Sequence, residues 1–340
     1  MRIIIDAMGG DNAPDAVVGG VMRAAKELDI DITLVGRGEQ ILDAMKKRNI
    51  DTLPERVEIV NAEDVVDMHD DPTSILHTRK NSSMVIGLKL LADGMGDAFV
   101  SAGSSGGLLT AATLLVKRVK GVRRAAFAPI LPNKDGNYVL LDAGANNECT
   151  PEFLMQFGML GSIFAQKAMH IAQPRVGLLN NGTEDTKGGP LQREAYALLK
   201  KAGDAGRIHF IGNVEAREVP MGAADVVVCD GFSGNVFLKT TEGTAKLMSS
   251  FMKKMFLRNL LTKIAALFCK SGVNEIKKKM DYREVGGTII LGLTKPVIKA
   301  HGSSDELAMF SSIRQAKQYV QADFCQCVKD RIDEIVLPRN

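Results

Sequence analysis

The segment Asp6-Ala-Met-Gly-Gly-Asp-Asn12 sets two carboxylates and the adjacent glycines Gly9 and Gly10 directly behind the apolar run Ile3-Ile4-Ile5. Four more polar, glycine-containing segments follow apolar runs. Ser101-Ala-Gly-Ser-Ser-Gly-Gly107 offers Ser101, Gly103, Ser104 and Ser105, small residues and hydroxyls able to close on an oxyanion. Asp142-Ala-Gly-Ala-Asn-Asn147 presents Asn146. Asn180 opens a loop to Pro190 in which Lys187 is the one cation. Cys229-Asp-Gly-Phe-Ser-Gly-Asn235 carries Asp230 and Asn235. Backbone N–H groups at a helix start, with hydroxyls beside them, cradle phosphate or another small anion. One glycine loop is ordinary turn chemistry, whereas five at the carboxyl edge of one sheet point to a ligand site. The loop with Asp6, Gly9, Gly10 and Asp11 holds no cation, so it is expected to shape the site rather than grip the anion. His301 stands beside Gly302-Ser303-Ser304, which suits either a site or a helix cap.

The elements that must carry these loops alternate. Strand-like runs cover 3–6, 32–35, 57–60, 98–101, 138–142, 176–179, 208–211 and 226–229. Helical patterns cover 16–28, 40–48, 83–92, 108–119, 153–170 and 191–201. This alternation predicts an α/β fold of three layers, α/β/α, around a Rossmann-like, mainly parallel sheet. Residues 127–138, with Pro129 and Pro132, read as an antiparallel excursion or edge strand. The chain from 1 to 340 reads as one catalytic domain.

Of the 340 residues, 45% are hydrophobic and 24% charged, and the formal net charge is +3. With no Trp and only 4 Tyr, the chain lacks the stacking platforms of single-stranded nucleic-acid binders, and no nucleic-acid partner is expected. Cys325 and Cys327 have no second pair to complete a zinc site, and no His-x-x-x-His spacing occurs. No metal and no cofactor are therefore expected. The dinucleotide fingerprint Gly-x-Gly-x-x-Gly is missing, and Gly234-Asn-Val-Phe-Leu-Lys239-Thr240 resembles a P-loop only superficially, without its second glycine. The start of the chain shows no secretory pattern, and no apolar run reaches ~18 residues. A cytoplasmic location is expected, at most peripheral on a membrane.

Residues 243–274 change character. They carry Lys246, Lys253, Lys254, Arg258, Lys263 and Lys270 and no acidic residue. Leu257, Leu260, Leu261, Ile264, Leu267 and Phe268 recur at helical spacing, giving a basic amphipathic helix. Such a helix lies on an anionic membrane, grips an acidic partner, or packs on the core or a second subunit. Lys253, Lys254, Arg258, Leu260, Leu261 and Lys263 are its candidate contacts.

In order and combination, residues Asp6–Pro14, Ser101–Gly106, Leu140–Asn146, Leu178–Gly188, Asp230–Val236 and Val297–Asp305 resemble the phosphate acyltransferase family of bacterial phospholipid synthesis. Two departures stand out: Ser104-Ser105 where the family usually shows Asn-Thr, and a less glycine-rich Leu291–Pro296 before His301. The resemblance implies a fold similar to isocitrate and isopropylmalate dehydrogenases and to phosphotransacetylase, and a homodimer. It implies transfer of a fatty acyl group from acyl carrier protein to inorganic phosphate, giving acyl phosphate for a membrane glycerol-3-phosphate acyltransferase. For that reaction, Lys187 and the Ser101–Gly107 backbone would hold phosphate. Asn235 or Asn146 would donate to the oxyanion, His301 would assist the departing thiolate, and Asp230 and Asp6 would orient Lys187 and the loops.

Two other enzymes fit the same architecture. An NAD-dependent hydroxy-acid dehydrogenase needs a nicotinamide site that nothing here marks, and a short-chain phosphotransacetylase is separated by its preference for acetyl-CoA. A membrane-recruited scaffold would explain the basic helix but not the five loops.

Overall fold

The computed structural model describes residues 1–273, 275, 283 and 286–336. Residue 274, the last of the basic segment, lies outside them.

Strands β1 (Arg2–Asp6), β2 (Asp31–Gly36), β3 (Val57–Asn61), β4 (Ala98–Ser101), β5 (Ala126–Ala128), β11 (Thr288–Leu291) and β12 (Val297–Lys299) form one sheet, in the order β3-β2-β1-β4-β12-β11-β5. A second sheet holds β6 (Ile130–Pro132), β7 (Asn137–Leu141), β8 (Arg175–Asn180), β9 (His209–Glu215) and β10 (Val226–Val228), in the order β6-β7-β10-β8-β9. Alternating side chains explain why helices cover both faces. Ile3 and Ile5, Val139 and Leu141, and Val226 and Val228 point into one core. Ile4, Tyr138, Leu140 and Val227 point into the other. Into the first core pack α1 (Asp15–Glu27), α2 (Gly38–Lys46), α6 (Pro151–Ala168), α7 (Pro190–Asp204) and α10 (Glu306–Gln321). The second core takes α3 (Ile75–Thr78), α4 (Ser83–Ala92) and α5 (Ser105–Leu115). The three-layer, mainly parallel α/β reading holds.

The expectation of one sheet edge bearing all five loops does not hold. Residues 126–132 pair antiparallel with β11 on one side and with β7 on the other. The β7 pairing continues past Pro129, with Leu140 N–H donating to the Pro129 carbonyl at 3.1 Å and Ala143 N–H to that of Phe127 at 3.0 Å. Since β11 is also antiparallel to β12, β5 runs with β1, β4 and β12, whereas β7, β8, β9 and β10 run against them. The carboxyl ends of the two parallel groups therefore face opposite ways. The antiparallel excursion expected near Pro129 is what reverses the sense.

Local capping shifts several boundaries. Ser104 Oγ accepts from Gly107 N–H at 3.3 Å, which starts α5 three residues before the expected Leu108. The helix of the basic segment starts even earlier than expected: α8 spans Gly231–Phe256, because Asp230 caps it by accepting from Ser233 N–H at 2.8 Å. A second helix, α9 (Leu260–Phe268), follows, capped by Asn259, which accepts from Thr262 N–H at 2.9 Å.

Candidate functional site

Three loops of the first sheet close on one another. Asp6 ends β1 at 1% exposure and accepts from Ser101 Oγ at 2.6 Å and from Met8 N–H at 3.1 Å. Ser101 in turn accepts from Gly103 N–H at 3.0 Å, so one hydroxyl joins the ends of β1 and β4. Burial pushes the Asp6 carboxyl above its ordinary range, against the lowering effect of these hydrogen bonds. Gly9 must be glycine here, because a Cβ would sit 2.6 Å from Asp6 Oδ2 and from Gly103 N. Gly10 has a φ of +98°, and a Cβ there would stand 2.9 Å from the Gly302 carbonyl. Asp11 N–H donates to that carbonyl at 2.8 Å, and Asn12 Nδ2 to the carbonyls of Ser303 and Ser304 at 3.2 Å each. The His301 loop thus belongs to the same assembly.

His301 Nδ1 accepts from Ser303 N–H at 3.2 Å and lies 2.8 Å from Ser303 Oγ. The amide contact places the neutral ring's proton on Nε2. Desolvation of the ring lowers its pKa; Glu242 opposes this, and Lys239, Lys299 and Lys246 reinforce it. Lys239, Glu242 and Lys246 all come from α8, which carries charge from the second sheet to the His301 loop. Lys239 and Glu242 pair at 3.6 Å. Asn235 lies four residues before Lys239, on the same helix face.

Sequence reasoning missed Lys299, the last residue of β12. Its Nζ donates to the carbonyls of Ala102 at 3.2 Å and Ala300 at 2.5 Å. Desolvation lowers its pKa to about 8, countered by Asp6 and Asp11 and assisted by Lys239. A lysine at the carboxyl end of a buried strand, two residues before His301, was the available signal.

The remaining site candidates lie on the loops after β7 and β8 and at the start of α8. Asn146 Nδ2 donates to the Ala125 carbonyl at 2.8 Å and to Asp142 Oδ2 at 2.9 Å, and its carbonyl accepts from Gly231 N–H at 2.8 Å. Its amide is committed to holding the Asp142 loop against α8. Asn235 packs against Gly144 across that junction, and its amide has no hydrogen-bond partner among the described residues. Asp230 is spent on the cap of α8, its second oxygen accepting from Ser233 Oγ at 2.8 Å. Asn180 Nδ2 donates to the Lys187 carbonyl at 3.2 Å, and Lys187 Nζ pairs with Glu184 at 3.8 Å. That pair is exposed and worth at most ~1 kcal/mol. Among the described residues no hydrogen bond or ion pair joins Lys187 to Asp230, Asp6 or the Ser101 loop.

Gly103-Ser-Ser-Gly-Gly107 also has the Gly-x-Ser-x-Gly spacing of a nucleophile elbow, which the sequence reading overlooked. Ser105 is exposed at the start of α5, and among the described residues no histidine bonds to it, so the loop does not form an acyl-enzyme triad. The chain between β3 and α4 covers this start, with Pro72 close over Gly106 and Arg79 pinned to Asp64 at 3.2 Å and Asp70 at 2.9 Å.

Lys253 and Lys254 on α8, Arg258 in the turn after it and Lys263 on α9 are exposed. So are Leu260 at 73%, Leu261 at 78% and Phe268 at 87%. Packing of this apolar face on the chain's own core, one of the expectations, does not occur. No helix among the described residues is long and apolar enough to cross a membrane.

The family model described as fatty acid synthesis protein matches residues 1–327. The chain is 44% identical over 336 residues to a phosphate acyltransferase of Thermoanaerobacter pseudethanolicus, covering 98% of each. It is 46% identical over 322 residues to a phosphate acyltransferase of Bacillus thuringiensis, covering 94% of each. Among solved structures, a phosphotransacetylase from Streptococcus pyogenes aligns with a TM-score of 0.66 at 18% identity, over 94% of both chains. A putative 4-hydroxythreonine-4-phosphate dehydrogenase from Salmonella typhimurium aligns with a TM-score of 0.55 at 12% identity, over 94% of this chain and 98% of that one. At these identities the two structures speak for the fold alone.

Proposed function

Because the chain belongs to the phosphate acyltransferase family of fatty acid synthesis proteins, we propose that it moves a long-chain fatty acyl group from an acyl carrier protein thioester to inorganic phosphate. The products are acyl phosphate and the free carrier thiol. The observation that carries this reading is the knot of Asp6, Ser101 and the His301 loop, within a chain similar to its relatives over almost its whole length.

Phosphate is already an anionic nucleophile, so the site has to hold and orient it rather than deprotonate it strongly. The first amides of α5, Ser105 and Gly106, have no acceptor among the described residues and suit a phosphate oxygen. Attack on the thioester carbon builds a tetrahedral oxyanion, and the unengaged amide of Asn235 is the proposed donor, a role worth ~3–4 kcal/mol. The C–S bond then breaks. A thiol of pKa ~8.5 is a tolerable leaving group, and His301 Nε2–H serves it as a hydrogen-bond donor. Asp6 holds the loops rather than reacting.

The reading also carries a homodimer, cytoplasmic in location and peripheral on the inner face of the membrane, handing acyl phosphate to a membrane glycerol-3-phosphate acyltransferase. Support comes from the uncovered apolar face of α9 beside Arg258 and Lys263. The same cations suit an acidic carrier protein. Incubation with long-chain acyl carrier protein and phosphate, with hydroxylamine as trap, should give phosphate-dependent acyl hydroxamate above the direct reaction of hydroxylamine with the thioester. Its absence would sink the assignment, and turnover of acetyl-CoA alone would move it to short-chain phosphotransacetylase.

A further inference from the structure

Between Asp97 and Asp135 the chain has no acidic residue, yet Lys117, Arg118, Lys120, Arg123 and Arg124 crowd into the connection from α5 to β5. Partners from other elements fix the backbone of this connection. Val119 N–H donates to the Gly292 carbonyl at 3.0 Å, and Thr294 N–H donates to that of Lys117 at 3.0 Å. Gln156, 4% exposed on α6, accepts from Arg123 N–H at 2.8 Å and donates through Nε2 to the Gly121 carbonyl at 3.0 Å. Val119 and Val122 turn inward and are buried, which leaves Lys117, Lys120, Arg123 and Arg124 exposed. Arg124 lies over the Phe153 ring at 5.2 Å, and Arg118 donates to the Arg123 carbonyl. Among the described residues none of the five pairs with a carboxylate. Glu152, beside Phe153, accepts instead from Thr150 Oγ1 at 3.1 Å.

This basic surface borders the junction that holds Asn235. The Ala125 carbonyl, next to Arg124, accepts from Asn146 Nδ2 at 2.8 Å, and Phe127 N–H donates to Asp142 Oδ1 at 3.0 Å. Gly144, in the same loop as Asn146, packs against Asn235. We propose that residues 117–124 are the docking surface for the acidic carrier protein, in place of Arg258 and Lys263 at the outer helices. The assignment rests on the acyl-transfer reading above and names the surface that serves it. Complementary charge steers the encounter and sets its register, and a backbone already fixed loses little freedom on docking. A carrier's thioester sits at the end of a flexible arm, so the carrier body has to dock beside the reacting atoms and not on them. An anionic membrane is the poorer occupant, because it takes cations together with an exposed apolar face. From residue 105 to residue 136, Leu114 is the one exposed large apolar side chain. The apolar face of α9 stays free for the membrane.

The test measures binding of acyl carrier protein to the full-length protein without phosphate, and initial rates at varied carrier and varied phosphate. Lys120→Glu and Arg123→Glu should each raise the carrier KM by about three-fold at low salt, and together by about ten-fold, as expected for charge pairs at the rim of an interface. Both side chains project from a backbone that other residues hold, so the fold survives their replacement. The phosphate KM, and kcat at saturating carrier, should stay at the parent values, and Lys120→Arg should behave as the parent. Added salt should raise the carrier KM of the parent and shrink its difference from the double variant. The proposal is overturned if the double variant keeps the parent's carrier KM, or if Arg258→Glu or Lys263→Glu raises it and the double variant does not. Loss of flotation with anionic vesicles in the double variant, with carrier binding intact, also overturns it and makes the patch a membrane contact. Turnover with an unchanged carrier KM would keep the reaction and remove this surface. Carrier binding that depends on Lys120 and Arg123, without phosphate-dependent acyl transfer, would keep the surface and remove the reaction.

Discussion

Asp6 and Lys299 are titratable groups at the ends of two strands that flank β4, and their environments move both toward neutrality. Asp6 is held above the ordinary value of 3.8 by burial, so the folded state keeps its proton to a higher pH than the unfolded chain does. Stability from this group is therefore complete below about pH 3.8 and is lost as pH rises through the folded pKa. Asp6→Asn, which keeps an acceptor for Ser101, should accordingly gain in Tm relative to the parent between pH 4 and pH 7, as measured by thermal unfolding. A difference independent of pH would rule out an ionisable Asp6. Lys299, at about 8, loses its charge as pH rises past that value. At this scale the sequence made Asp6, Ser101 and His301 legible, since each closes an apolar run. It hid Lys299, because a lysine ending a strand looks like any solvated edge until the fold turns its ammonium onto the carbonyls of Ala102 and Ala300. It also could not show that Asn146 was already engaged, since a hydrogen-bond partner 21 residues away in sequence leaves no local signature, whereas the Asp230 cap on Ser233, three residues on, was within local reach.

At the level of elements, α8 and α9 make opposite demands on their sequences. The start of α8 is pressed against the Asp142 loop, and a Cβ on Gly234 would collide with the Asp142 carbonyl oxygen. Gly234→Ala should cost about 3 kcal/mol of stability in denaturant unfolding, since the obstacle is backbone. The far end has no such constraint. Leu260→Glu or Leu261→Glu on α9 should leave stability within about 0.5 kcal/mol while abolishing flotation with anionic vesicles. Retained flotation would show that α9 is not the membrane contact. The amphipathic pattern of α9 was readable from spacing alone. What its apolar side meets was not, because periodicity records that a face is apolar and not what covers it.

For the molecule as a whole, the alternation of strands and helices specified three layers and a mostly parallel arrangement, but not that the two parallel groups run in opposite senses. A buried strand shows the same side-chain pattern whichever way its neighbour points. Only the Pro-flanked stretch around β5 and β6 signalled the reversal. The proposed site would accordingly draw its loops from one sheet and Asn235 from a helix launched from the other. The proposed homodimer should show a mass about twice the chain's 36.7 kDa in light scattering, and a monomer at assay concentration would remove it.

Helix α8 is continuous over 26 residues, about 39 Å at 1.5 Å per residue, and it fixes an angular phase as well as a distance. Deleting one residue between Gly234 and Lys239 would turn Lys239, Glu242 and Lys246 by about 100° around the axis relative to the capped start of the helix. Adding seven residues beyond Lys246 would leave those side chains untouched. It would carry α9 about 10 Å further out, rotated by only about 20°. Chain-length variation among related proteins should therefore be tolerated beyond Lys246 and excluded before it. The reach of the outer tip is free to drift, while the angular setting of the inner half is locked.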